Sequence, residues 1–212
     1  MTPGSPPTIQ RLGIYGGTFD PPHLGHLILA EAAADFLALD QVLFVPAAHP
    51  PHKPPATVRA AAHHRLAMVE HAVADNVRFG VSRVDIDRPG PHYTVDTLAR
   101  LHESYPQATL FFLIGADSLH DLPRWLCPAR LLELATLGVM RRPGSQPNLD
   151  ALEAALPGIT ARVQWIDAPL IDISASNLAA HIAAGYSVRY RIPDAVCEYI
   201  SKHNLYRKAY DR

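Results

Sequence analysis

The 212-residue sequence has only two cysteines, Cys127 and Cys197, far apart and outside any CxxC pairing. That argues against a disulfide framework and fits a reducing compartment. No apolar run approaches the ~18–20 residues of a membrane-spanning helix. The opening MTPGSPPTIQ lacks the basic start and apolar core of a signal peptide. The expected location is therefore the cytoplasm. Charge of one sign is also missing: the formal net charge is −1. Neither nucleic acid nor an anionic membrane is expected as a partner, and an anionic ligand would have to be held by local groups. GxGxxG and GxxxxGK[ST] are both absent, which removes the dinucleotide fingerprint and the P-loop.

With 48% hydrophobic and 18% charged residues, the chain can bury the core of one globular domain. Residues 1–10 read as a flexible Pro/Ser tail and residues 11–212 as the domain. Apolar runs alternate with helical patterns. Strands are expected at Leu12–Tyr15, Gln41–Val45, Val77–Val81, Val84–Ile86, Leu110–Ile114, Leu137–Met140 and Val163–Ile166. Between and after them, helices are expected at Leu24–Leu37, Ala60–Ala74, Thr94–Ser104 with Thr94 as N-cap, Ala129–Leu134, Leu149–Leu156, Ser176–Ala183 and Pro193–Lys202. The pattern implies an α/β domain with a mostly parallel sheet, whose ligand sits at the carboxyl ends of the strands where strand order reverses. The proline-rich segment 46–57 is a loop long enough to serve as a lid.

Twelve histidines are many for this length. His49, His52, His63 and His64 cluster in sequence, but HPPH separates its histidines with two prolines and HH is not a one-face helical pair. Loop and helix histidines are the simpler reading, and no metal site is assigned.

The stretch GIYGGTFDPPHLGHL carries the most chemistry. Gly16 and Gly17 let the backbone turn sharply and approach a ligand. The helix beginning near Leu24 offers free N–H groups suited to phosphate. His23 and His26 stand three apart on its first turn and share a face. Gly25 between them leaves room for a ligand. A capping or packing role would explain one such histidine; two beside glycines and a helix start favour phosphate binding.

GGTFDPPHLGHL resembles the GxFDxxHxGH signature of the nucleotidylyltransferase superfamily. PAAHPPHKP, YTVDTL, IGADSL with Trp125 after it, RRPG, ISAS and IPDAVCEYISKHNLY follow in the order found in bacterial nicotinate mononucleotide adenylyltransferases, from about Leu12 to Arg207. The resemblance implies a Rossmann-like open, mostly parallel sheet with helices on both faces. It implies transfer of AMP from ATP to nicotinate mononucleotide, giving deamido-NAD and pyrophosphate. ATP phosphates would meet His26 and His23, backbone around Thr18 and Phe19, and Ser174 and Ser176, with Gly16, Gly17, Gly115 and Asp117 completing the nucleotide side. The mononucleotide would meet Thr94, Trp125, Lys53 and Arg142. Lys53 reads equally well as a solvated loop lysine, Trp125 as core, and Asp117 as a helix cap. Mg²⁺ is expected, carried mainly by ATP phosphates. A homo-oligomer is compatible with the sequence but not specified by it.

ISASNLAA matches the family's ISSTxxR element only in part. Ala179 stands where an arginine facing the ATP β- and γ-phosphates is expected, and Arg189 and Arg191 are candidate substitutes. Two other readings stay open. One is a pantetheine-phosphate or glycerol-phosphate nucleotidylyltransferase, against which YTVDTL and the Trp125 segment argue. The other is a nucleotide-binding regulator without catalysis, supported only by Ala179.

Overall fold

The computed structural model describes residues 9–49, 57–141, 147–169 and 171–207. Among these, six strands form one parallel sheet: β1 (Arg11–Gly17), β2 (Gln41–Pro46), β3 (Phe79–Val81), β4 (Thr109–Gly115), β5 (Ala135–Met140) and β6 (Val163–Ile166). Their order is β3-β2-β1-β4-β5-β6, with every pair parallel. Strand order reverses between β1 and β4, and a ligand crevice is expected there.

Helices α1 (Leu24–Phe36), α2 (Ala62–Val73), α8 (Ala175–Ala183) and α9 (Asp194–Lys202) cover one face. Helices α3 (Thr94–Ser104), α4 (Ala116–Asp121), α5 (Pro128–Leu134), α6 (Leu149–Ala155) and α7 (Ile159–Arg162) cover the other. The run TLFFLIG of β4 is continuously apolar because it feeds both layers. Leu110, Phe112 and Ile114 enter one core with Leu98, Leu119 and Leu131. Phe111 and Leu113 enter the other with Met68, Val69 and Leu178. A central parallel strand has no solvent face to mark by alternation.

The domain starts slightly earlier than the sequence pattern suggests. Ile9 packs on the core and the carbonyl of Gln10 accepts from Thr109 N at 2.7 Å; residues 1–8 lie outside the described residues. Val84–Ile86 is not a strand. Ile86 N and Asp87 N both bond back to the carbonyl of Arg83, forming a turn that buries the Asp85 carboxylate against Arg88 and Thr97. β3 shortens to three residues because Asn76 turns the chain just before it, accepting from Arg78 N through its side chain and from Phe79 N through its carbonyl. Val77 is left in solvent. Tyr93, not Thr94, is the N-cap of α3. No described helix is long and apolar enough to cross a membrane, and both cysteines are free.

Asp40 ties the start of β1 to the turn before β2, accepting from Gln10 N and Arg11 N at 2.8 Å each. The Arg11 and then the Gln10 backbone N–H groups hold its carboxyl below the ordinary carboxylate value. A depressed folded pKa contributes stability above about pH 4, which is lost as pH falls through the folded value. Asp40→Ala should lower Tm at pH 7, and the gap to wild type should narrow as pH drops below about 4; a pH series of thermal melts reads this directly.

Candidate active site

A cavity of about 720 Å³ opens at the β1/β4 switch point. Its floor is the carboxyl ends of β1 and β4, and its walls come from the starts of α3 and α4, Trp125, and the segment leading into α8.

On the β1 side the chain turns through Gly16, Gly17 and Thr18, all on the cavity wall. Gly17 is required for a reason within the fold: a Cβ there would lie 2.8 Å from the Phe19 ring. Phe19 adopts φ 50° and folds its ring under the turn into the core, against Tyr15, Phe44 and His26. Gly16 is open toward the cavity. The carbonyl of Gly17 accepts from Ala47 N at 2.9 Å, and that of Thr18 accepts from Arg65 Nη1 at 2.7 Å. In a trans peptide the following N–H points opposite to the carbonyl. These two bonds therefore aim the N–H groups of Thr18 and Phe19 away from Ala47 and Arg65.

Arg65 is wholly buried. Its other nitrogens donate to the carbonyls of Ala60 and Ala48, so one cation binds the loops after β1 and β2 to the start of α2. Burial lowers its pKa, while Asp20 and Tyr206 act in the opposite direction. Asp20, also buried, accepts from Arg59 N at 2.7 Å and Ala60 N at 3.1 Å. It also accepts a hydrogen bond from the Tyr206 hydroxyl at 2.8 Å. Burial and the Asp20 carboxylate push the Tyr206 phenol well above its ordinary value.

His23 is the N-cap of α1 and His26 its third residue. Their rings stack at 3.7 Å. His26 Nδ1 accepts from His23 N at 3.1 Å, which leaves the ring proton of the neutral form on Nε2, as a donor. The pair adjoins the cavity and does not form its wall. Gly25 does not hold space for a ligand: a Cβ there would meet the His23 ring at 3.0 Å and Ile171 at 3.7 Å. Its absence lets His23 fold over the helix. Nor is the first turn of α1 a set of free donors, since Leu24 N bonds to the carbonyl of Arg191 and His26 N to that of His23.

Across the cavity, Thr94, Gly115, Asp117, Trp125 and Ser174 also line the wall. Trp125 is half-buried and edge-on to Phe112 at 6.1 Å. A Cβ at Gly115 would collide with Asp117 Oδ1, so the carboxylate folds back over the start of α4. Ser174 caps α8, its hydroxyl oxygen accepting from Asn177 N at 3.2 Å. Ser176 lies one position into the helix, exposed and off the wall. Lys53 and Arg142 lie outside the described residues, as does His52; Arg141, beside Arg142, is on the wall, paired with Asp167 at 2.9 Å.

Asp85 and His92 escape sequence reading. With Thr97 they line the cavity and are linked: Thr97 Oγ1 donates to Asp85 at 2.7 Å, and His92 Nε2 lies 3.1 Å from the carbonyl of Arg88, which pairs with Asp85; His92 Nδ1 accepts from His49 N at 3.1 Å. His63 and His64 instead stand at the α2–α9 contact, where His64 Nδ1 meets the Tyr199 hydroxyl at 3.0 Å. Arg65 had a signal: it shares the i, i+3, i+4, i+7 phase of Met68, Val69 and Ala72. An arginine on the buried stripe of a helix needs internal acceptors.

A cytidylyltransferase-like family model matches residues 14–181. The chain belongs to that family. Within it, the chain is 50% identical over 199 residues to a protein of Thermomicrobium roseum named a probable nicotinate-nucleotide adenylyltransferase, covering 94% of this chain and 92% of the relative. One of the same name from Thermus thermophilus is 47% identical over 198 residues, covering 93% and 100%. In fold, the chain resembles the Plasmodium falciparum nicotinic acid mononucleotide adenylyltransferase complexed with NaAD, with a TM-score of 0.75 at 19% identity over 93% of this chain and 97% of the other. It groups with the bacterial nicotinate-nucleotide adenylyltransferases of this family.

Arg65→Met removes three buried donors from three carbonyls at once. It should cost about 3–5 kcal/mol of stability, read as a lowered denaturant midpoint, and should reduce activity further by freeing the turn at Thr18.

Proposed function

We propose that this protein transfers AMP from ATP to nicotinate mononucleotide, giving deamido-NAD and pyrophosphate for NAD biosynthesis, and that it does so in the cytoplasm. The observation that carries the proposal is the cavity at the strand-order reversal. Its wall sets the backbone turn after β1 on one side against a helix start and an indole on the other, and the histidine pair stands behind that turn, off the wall. The chain around it is about half identical to nicotinate-nucleotide adenylyltransferases.

The nucleophile is a phosphate oxygen of the mononucleotide. Its second ionisation lies near pH 6, so it is mostly dianionic at neutral pH and needs no general base. The new bond forms between that oxygen and the α-phosphorus. The bond from α-phosphorus to the bridging oxygen breaks, and pyrophosphate carries the electron pair away. The protein must align two anions and stabilise charge as it moves. His26 donates from Nε2 to an α-phosphate oxygen. His23 stacks on it and fixes its plane. The Thr18 and Phe19 N–H groups and the Ser174 hydroxyl hold phosphate oxygens. Gly115 and Asp117 meet the nucleotide, the latter through a ribose hydroxyl.

On the acceptor side, the N–H groups at the start of α3, beginning at Thr94, receive the nicotinate carboxylate. A nicotinamide would present its own N–H donors there and be repelled. Trp125 stacks on the pyridine. Mg²⁺ carried by the ATP phosphates would supply neutralisation of phosphate charge. Among the described residues no three acidic, histidine or cysteine side chains converge on a metal site, and Asp172 on the wall would be the acceptor for water around the ion.

Pyrophosphate release with ATP and nicotinate mononucleotide tests the activity; nicotinamide mononucleotide should be turned over at least tenfold less efficiently, roughly the value of one mismatched hydrogen-bonding group. His26→Asn keeps an acceptor for His23 N and removes the Nε2 donor. It should lose ~10²–10³ in kcat/KM with Tm retained, while near-normal turnover would dismiss His26 from the reaction.

A further inference from the structure

Arg59, itself off the cavity wall, joins two segments that each lead from a wall residue. Its backbone N–H donates to Asp20 Oδ2 at 2.7 Å, and its Nη1 donates to the carbonyl of Ser176 at 3.1 Å. Asp20 lies two residues beyond Thr18, and Ser176 two beyond Ser174; Thr18 and Ser174 both line the cavity. The Arg59 side chain therefore crosses from the turn after β1 to the first turn of α8.

Among the described residues, the other arginines near this end of the sheet are committed. Arg65 is spent on three carbonyls. Arg88 pairs with Asp85 and Arg141 with Asp167. Arg191 bonds to His181 and to the carbonyl of Ser187, and Arg189 lies over the Tyr190 ring. Arg59 is exposed, bonds to a neutral carbonyl, and forms no ion pair among the described residues. Ala179 on α8 is 1% exposed and brings no charge. Beyond the charge that Mg²⁺ would neutralise, a triphosphate gains from a protein cation, because charge-assisted bonds to phosphate are stronger than those from backbone and hydroxyl donors.

We propose that Arg59 binds the β- and γ-phosphates of ATP and stabilises the departing pyrophosphate. This rests on the reading of ATP as substrate. The anchoring supports it: Asp20 fixes the Arg59 backbone while its other oxygen is held by Ala60 N and the Tyr206 hydroxyl. The base of the side chain is thus placed before ligand arrives, and the guanidinium has to give up only one neutral acceptor. A guanidinium offers five donors, enough to take two phosphate oxygens and still keep a protein partner.

The test is calorimetric binding of AMP, ATP and pyrophosphate to wild type, Arg59→Ala and Arg59→Lys, together with KM for each substrate. Arg59→Ala should weaken ATP and pyrophosphate about tenfold or more, leave AMP within about twofold, and raise KM for ATP without changing that for nicotinate mononucleotide. Arg59→Lys should recover part of the loss. Equal weakening of AMP and ATP, with a fall in Tm, would make Arg59 a loop clamp and overturn the proposal. Unchanged ATP binding would overturn it too. Wild-type protein that binds ATP yet makes no dinucleotide would remove the functional reading alone, and the ATP-to-AMP ratio of Arg59→Ala would still decide the role of Arg59.

Discussion

The site depends on a guanidinium buried behind the cavity wall. Arg65 has no exposure to solvent, and its nitrogens reach the carbonyls of Thr18, Ala48 and Ala60. Each of these carbonyls belongs to a loop or helix start that a parallel sheet leaves dangling beyond its strand ends. Burying a charge is costly unless every donor is matched. That cost is also a geometric instruction: the three segments must converge on one fork. Because the Thr18 carbonyl is turned inward, the N–H after it faces outward. A structural cation thus sets the direction of a backbone donor.

Two buried carboxylates extend the same logic to either side. Asp20 collects Arg59 N, Ala60 N and the Tyr206 hydroxyl, drawing the C-terminal segment back to the first turn. Asp85 collects Arg88 and Thr97. Next to it, His92 joins His49 to the carbonyl of Arg88. The cavity lies between these two hubs. A reaction between two anions has little covalent work for the protein and a strict demand for alignment. A rigid polar frame beneath mobile-length loops meets that demand, and neither carboxylate has to enter the chemistry.

Much of the fold was legible in the sequence because parallel α/β domains alternate their periodicities. LFFLI could only be a strand covered on both faces, and the helix facing it on one side began at Thr94 as its pattern required. The turn at GGTFDPPHLGHL was legible as a site but not in its parts. Gly17 serves the Phe19 ring and Gly25 the His23 ring, contacts made by backbone angles that a residue pattern does not carry. Val84–Ile86 had strand composition and became a turn, because burying Asp85 against Arg88 and Thr97 outweighs a local β preference. Arg59 gave no signal in the sequence: its place depends on Asp20 and Ser176, distant in sequence and brought together only by the fold.

The geometry of His26 bears on why a separate cation matters. Its Nδ1 accepts the N–H of His23, so the neutral ring presents Nε2–H as its donor. Such a donor suits the α-phosphate, whose oxygens must be steadied without being clamped so strongly that the ground state gains as much as the transition state. Pyrophosphate is different: it gains charge as the bond breaks, and a permanent cation interacts with it more strongly at that moment than before. In the proposed reaction, neutral donors at the reacting phosphorus and Arg59 at the leaving group would divide the electrostatic work along the direction in which charge moves.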